Sequence, residues 1–168
     1  MKHLLNVFLI ALATLSATAY GQDLTKPPAQ TVPEFRFFRL NNTPFTAKDL
    51  LPGKMSFFIF VDPECDHCQH AVQRIGDQYD AFKGTAIYLV SVSDQNKINH
   101  FMDTYGAKLK GKKNVLLLRD KLEQFIAKFN PRRYPSMLLF SAEKKLLDYE
   151  DNPDAVFRLV AIARKSGK

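Results

Sequence analysis

The chain has 168 residues, 46% of them hydrophobic and 14 of them Phe, with a formal net charge of +7. That length and apolar content suit one domain with a sizeable core, and no internal repeat or low-complexity tract is present. Lysine dominates the charge and no RNA-binding aromatic motif accompanies it, so the excess reads as a solvated surface and not a nucleic-acid face. The densest basic run, Lys108-Leu109-Lys110-Gly111-Lys112-Lys113, reads as an exposed loop in preference to a site for an acidic partner.

Met1-Lys2-His3 is a short basic region, Leu4 to Ala13 is almost wholly apolar, and Ser16-Ala17-Thr18-Ala19 supplies small residues for cleavage. This predicts a signal peptide over residues 1–21, cut after Ala19 or Gly21. The apolar run is too short to span a bilayer, and no cysteine lies near the cut to take a lipid. A periplasmic protein with no stable membrane anchor after cleavage is expected. Residues 22–33, with Pro27, Pro28 and Pro33, read as a linker, and residues 34–168 as one folded domain.

Phe35, Phe37 and Leu40 suggest a short strand before the Asn41-Asn42-Thr43-Pro44 turn, and Thr46 is placed to cap a brief turn that Pro52-Gly53 ends. Met55 to Val61 is a continuous apolar run of strand length, the pattern of a central strand covered on both faces. Cys68, Val72, Ile75, Tyr79 and Phe82 then fall on one helical stripe that stops at Gly84. Ala86 to Val90 reads as a second buried strand. Asp94 or Asn96 can cap a helix burying Ile98, Phe101, Met102 and Tyr105. Val115 to Leu118 reads as a strand, and Leu122, Phe125, Ile126 and Phe129 as a helix stopped by Asn130-Pro131. Met137 to Phe140 and Leu146 to Tyr149 form a predicted hairpin, and a last helix starts at Asn152-Pro153, burying Val156, Leu159, Val160 and Ala163.

The chain's two cysteines sit in Asp62-Pro63-Glu64-Cys65-Asp66-His67-Cys68-Gln69-His70, directly after the central apolar run. Cys-x-x-Cys opening a helix after a buried strand is a redox-site pattern. Unpaired N–H groups and the macrodipole at the helix start stabilise a thiolate on the first sulfur. The second lies one turn on, close enough to close a small disulfide ring and to resolve a mixed disulfide.

Element order, Cys65-Asp66-His67-Cys68 and Tyr134-Pro135 together resemble the thioredoxin superfamily, most nearly its exported TlpA/ResA-like thiol-disulfide oxidoreductase branch, from about Phe35 to the C-terminus. The resemblance implies an α/β thioredoxin fold, with a central mixed β-sheet flanked by helices on both faces. It implies Cys65 as the attacking thiol, Cys68 as the resolving thiol, and Pro135 as a cis proline that positions substrate beside Tyr134. His67 resembles the histidine of disulfide isomerase and DsbA, where it makes the disulfide more oxidising, and Asp66 would oppose that effect. Several positions depart from the pattern: Glu64 replaces the usual tryptophan, Ile59 the buried acid of thioredoxin, and Ala71 the ResA-like glutamate. Asp62 and Glu64 are the nearest acids, readable either as a proton relay or as turn and capping residues.

Four other readings of the cysteines exist. A purely structural disulfide would close too short a loop to stabilise much. A copper- or zinc-binding module could use Cys65, Cys68, His67 and His70, with His100 elsewhere. A peroxiredoxin would place Thr or Ser where Asp62 stands, and haem attachment would need His where Gln69 stands. The expectation is therefore a monomeric thiol-disulfide oxidoreductase acting on protein thiols and disulfides with a redox donor or acceptor protein, and needing no cofactor or metal.

Overall fold

The computed structural model describes residues 26–166, so the leader, its cleavage site and residues 22–25 lie outside the described residues. The strand order is β2-β1-β5-β4-β3-β6-β7 in one mixed sheet. The strands are β1 (Arg36–Arg39), β2 (Pro44–Thr46), β3 (Ser56–Phe60), β4 (Ala86–Ser91), β5 (Val115–Arg119), β6 (Ser136–Phe140) and β7 (Leu146–Glu150). The helices are α1 (Asp66–Asp77), α2 (Gln95–Thr104), α3 (Gln124–Phe129) and α4 (Val156–Ser166). β3, β4 and β5 run parallel, while β6 and β1 pair antiparallel to β3 and β5. This is the thioredoxin fold that the resemblance implies.

The uninterrupted apolar run of β3 follows from its place. All five of its residues are buried, and the pleat sends alternate side chains to opposite faces. Phe57 and Ile59 join Val72, Ile75, Phe101, Leu159 and Val160 on the face covered by α1, α2 and α4. Phe58 and Phe60 join Phe35, Phe37, Phe125 and Phe129 on the face covered by α3. The second cluster is a stack of rings, with centroids 4.2 Å apart for Phe60–Phe125 and 4.3 Å for Phe125–Phe129. Offset stacking of this kind adds about 0.5–1.5 kcal/mol per pair beyond the burial itself.

Four local differences have physical causes. The α1 stripe does extend to Phe82, but the α-helix ends at Asp77 and Tyr79–Phe82 continues as a 3-10 turn. Leu122, placed by periodicity on the α3 stripe, is 53% exposed, because the chain reaches α3 through a left-handed Glu123 (φ 50°). Pro44–Thr46, expected to be only a turn and a cap, also forms an edge strand on β1, where a proline costs no ladder bond. The described part of the Pro-rich segment lies against the domain: Ala29 donates to the Phe129 carbonyl at 2.9 Å and Val32 to that of Lys144 at 2.9 Å.

The basic run behaves as a loop pinned by neighbours: Lys108 pairs with Asp77 at 2.6 Å, Lys110 pairs with Asp103, and Lys112 lies over the Tyr79 ring. Among the described residues, no helix is long and apolar enough to cross a membrane.

Candidate dithiol site

The parallel strands β3, β4 and β5 end at one edge of the sheet, where α/β folds place their sites. There β3 leads into Asp62-Pro63-Glu64-Cys65. Asp62 Oδ1 accepts the Glu64 N–H at 2.9 Å, and the Asp62 carbonyl accepts the Cys65 N–H at 3.1 Å. Those bonds fold the loop into a tight turn and set Cys65 at the N-cap of α1. The Cys65 carbonyl receives the Cys68 N–H at 2.9 Å, so both cysteines share the first turn. Gln69 Nε2 ties the helix back to the Pro63 carbonyl at 3.2 Å.

The two thiols, both free, sit in different surroundings. Cys65 is half-buried and Cys68 is fully buried. Burial above all, with the Cys65 sulfur and the Asp62 carboxylate adding to it, pushes the Cys68 thiol far above its ordinary pKa, and a hydrogen bond from the Asp62 backbone opposes this. Cys68 is thus a protonated, enclosed thiol beside an accessible one.

Pro135 is buried, and the Tyr134–Pro135 bond is cis, as the resemblance implies. The β3–β6 register ends with Phe60 opposite Ser136, which sets Pro135 beside the exit of β3. Tyr134 stacks on Phe60 at 4.7 Å and packs with Cys65 on the core under α1. Burial first, then Asp62, Cys68, Asp120 and Cys65, pushes its phenol up to about 12. Tyr149, read from sequence only as a hairpin residue, braces this loop. Its hydroxyl accepts the Arg132 N–H at 2.9 Å and lies 2.9 Å from Ser136 Oγ, which donates to the Arg133 carbonyl at 2.6 Å. No periodicity signals that role, which is set by cross-strand pairing.

His67 is exposed and, with Arg133, Tyr134, Asp151, Asn152 and Pro153, lines a pocket of about 170 Å³ next to the dithiol. Glu64 instead pairs with Lys97 of α2 at 2.9 Å on the surface. His70 and His100 lie exposed on α1 and α2. Among the described residues, no three His, Cys, Asp or Glu come together in a way that could hold a metal ion. The metal-module reading therefore lacks a ligand set in this arrangement.

An accessible and an enclosed cysteine at the head of a helix, beside a cis proline on a thioredoxin fold, define the class of thioredoxin-like oxidoreductases. The chain belongs to the AhpC/TSA family, which matches residues 28–148. No curated protein matches it. Among solved structures it is similar to the thioredoxin domain of a thiol-disulfide oxidoreductase from Bacteroides vulgatus, at 20% identity and TM-score 0.64, over 82% of this chain and 97% of that one. It is similar to a secreted Mycobacterium tuberculosis disulfide oxidoreductase homologous to Escherichia coli DsbE, at 20% identity and TM-score 0.61, over 76% of this chain and 95% of that one. StoA from Bacillus subtilis matches at 13% identity and TM-score 0.59, over 79% of this chain and 98% of that one. At such identities the likeness bears on the fold.

Proposed function

We propose that the protein is an exported thiol-disulfide oxidoreductase that exchanges disulfides in protein substrates through Cys65 and Cys68. The observation that carries this reading is the asymmetry of the pair, one sulfur reachable at a helix N-cap and its partner buried and protonated. In the reducing direction the Cys65 thiolate attacks a substrate disulfide, forming a Cys65–substrate bond and expelling one substrate thiolate. Cys68 then loses its proton and attacks Cys65 Sγ. The Cys65–substrate bond breaks, the second substrate sulfur leaves with the electron pair, and the protein is left oxidised by two electrons.

Pro135 and the free backbone of Tyr134 suit an extended substrate segment paired like an added strand, and His67 lies at the pocket beside it. The predicted leader supports export. The test is reduction of insulin disulfides by the protein with a dithiol donor. Wild type is expected to turn over, Cys65→Ser to be inert, and Cys68→Ser to accumulate a mixed disulfide on Cys65. No exchange by the wild type, with stoichiometric copper or zinc binding lost in Cys65→Ser and His70→Ala, would replace this reading with the metal module.

A further inference from the structure

The first turn of α1 and the proline loop meet at the pocket of about 170 Å³ lined by His67, Arg133, Tyr134, Asp151, Asn152 and Pro153. Its walls are held from behind. Tyr134 stacks on Phe60, and Pro153 is buried where the chain turns into α4. The Arg133 carbonyl accepts Ser136 Oγ at 2.6 Å, which ties the loop that carries the guanidinium to β6. The volume falls below the roughly 300 Å³ of the smallest drug-sized ligand sites and suits a single side chain of a docked segment.

The polar groups around the pocket are unevenly committed. The Asp151 side chain is 13% exposed, and both its oxygens are engaged: Oδ1 takes an Arg133 Nη2 hydrogen at 3.0 Å, and Oδ2 takes the Tyr149 hydroxyl at 3.4 Å. Asn152 Oδ1 accepts the Asp154 N–H at 2.9 Å, which leaves the amide Nδ2 hydrogens to spare. Arg133 gives one nitrogen to Asp151 while its side chain stays 70% exposed, and a guanidinium carries further N–H donors. His67, exposed on the α1 side, adds a ring N–H. Arg132 lies over the Tyr149 ring at 5.5 Å instead of on a carboxylate, so a second cation flanks the loop. The side-chain oxygens of Asp151 and Asn152 are thus used up, and donors are left over. A group that fills the pocket must bring acceptors, and a carboxylate matches a guanidinium fork.

We propose that this pocket receives an acidic side chain, Asp or Glu, next to the reacting cysteine of a protein substrate, with Arg133 as the specificity-determining residue; this rests on the thiol-disulfide reading above. Tyr134 packs with Cys65 on the same core cluster, so a segment paired along the Tyr134 backbone brings its cysteine to Cys65 and a neighbouring side chain to the pocket. The carboxylate takes the N–H groups that Arg133 does not give to Asp151, with Asn152 Nδ2 and the His67 ring as further donors. The turn leading to Cys65 carries Asp62 and Glu64, so the proline-loop pocket is the favourable place for a substrate carboxylate beside the dithiol. The contact orients the substrate and takes no part in the bond changes. It selects acidic segments over basic ones.

The probes are short peptides that carry Glu, Gln or Lys beside a single cysteine, with that cysteine held as a disulfide to thiopyridine. With the reduced full chain, Cys65 Sγ attacks the peptide sulfur, and thiopyridine leaves with the electron pair and is followed by its absorbance. Each rate is divided by that of the same peptide with mercaptoethanol, which removes the peptide's own reactivity. The wild type is expected to favour the Glu peptide over the Gln peptide about fivefold to tenfold at low salt, with the Lys peptide slowest. Arg133→Gln is expected to bring the Glu-to-Gln ratio near one. Asn152→Asp keeps an oxygen for the Asp154 N–H but replaces the amide donor with an acceptor, and is expected to lower the ratio as well. Equal corrected rates for the Glu and Gln peptides in the wild type, or a preference that survives both substitutions, would overturn the proposal. No thiopyridine release from any of the peptides would instead overturn the thiol-disulfide reading itself.

Discussion

At the scale of single residues, Cys68 makes the clearest prediction. In an unfolded chain a thiol ionises near pH 8.5, whereas burial keeps Cys68 protonated far above that in the fold. The native state therefore binds a proton that the unfolded state releases. The stability this contributes is fully present below the unfolded pKa and is lost as pH rises through it, at a slope approaching about 1.4 kcal/mol per pH unit. Urea unfolding of reduced protein between about pH 7 and 10 should show that fall, and Cys68→Ala should lack this component. Equal pH slopes in the two proteins would contradict the enclosed, protonated thiol.

Among the elements, α3 depends most on its surroundings. It spans six residues between left-handed positions at Glu123 (φ 50°) and Asn130 (φ 48°). So short a helix does not persist in water on its own. What holds it is Phe125 and Phe129, both fully buried, stacked on each other and on Phe60 and Phe37. Phe125→Ala should cost about 3–5 kcal/mol by denaturant titration. Because Phe60 also carries the Tyr134 ring, the same change should slow disulfide exchange. Near-wild-type stability would show that the ring stack is not what anchors α3.

For the whole molecule, the sheet has edges to protect, and residues 26–33 cover part of one. Thr31 bridges Lys145, Leu146 donates to the Gln30 carbonyl at 2.8 Å, and Asn130 Nδ2 reaches the Lys26 carbonyl at 2.9 Å. At about 1 kcal/mol net per hydrogen bond, deleting the chain through Pro33 should cost about 2–4 kcal/mol. It also uncovers backbone groups that template association. Calorimetry and sedimentation of the truncated protein check this; unchanged melting and a monomeric profile would mean that the segment only rests on the surface.

The sequence by itself determined the parts that depend on neighbours along the chain. Met55 to Val61 had the length and unbroken apolar run expected of a strand covered on both faces, the stripe from Cys68 to Phe82 had a helical period, and Cys65 and Cys68 had the spacing of a dithiol at a helix head. Asp94 was legible as one of two candidate caps beside Asn96, and Asn152-Pro153 as the start of the last helix, for the same reason. Tyr134-Pro135 was legible through resemblance, since nothing in its local composition distinguishes a cis from a trans proline. Only the tertiary structure decided how β2 and residues 26–33 seat on the sheet, why Leu122 stays outside while Phe125 turns in, and that Tyr149 braces the proline loop. It alone left Asp120 Oδ1 buried without a hydrogen-bond partner. Each of those depends on register between strands far apart in sequence, and side-chain pairing across a sheet leaves no periodic trace in either strand.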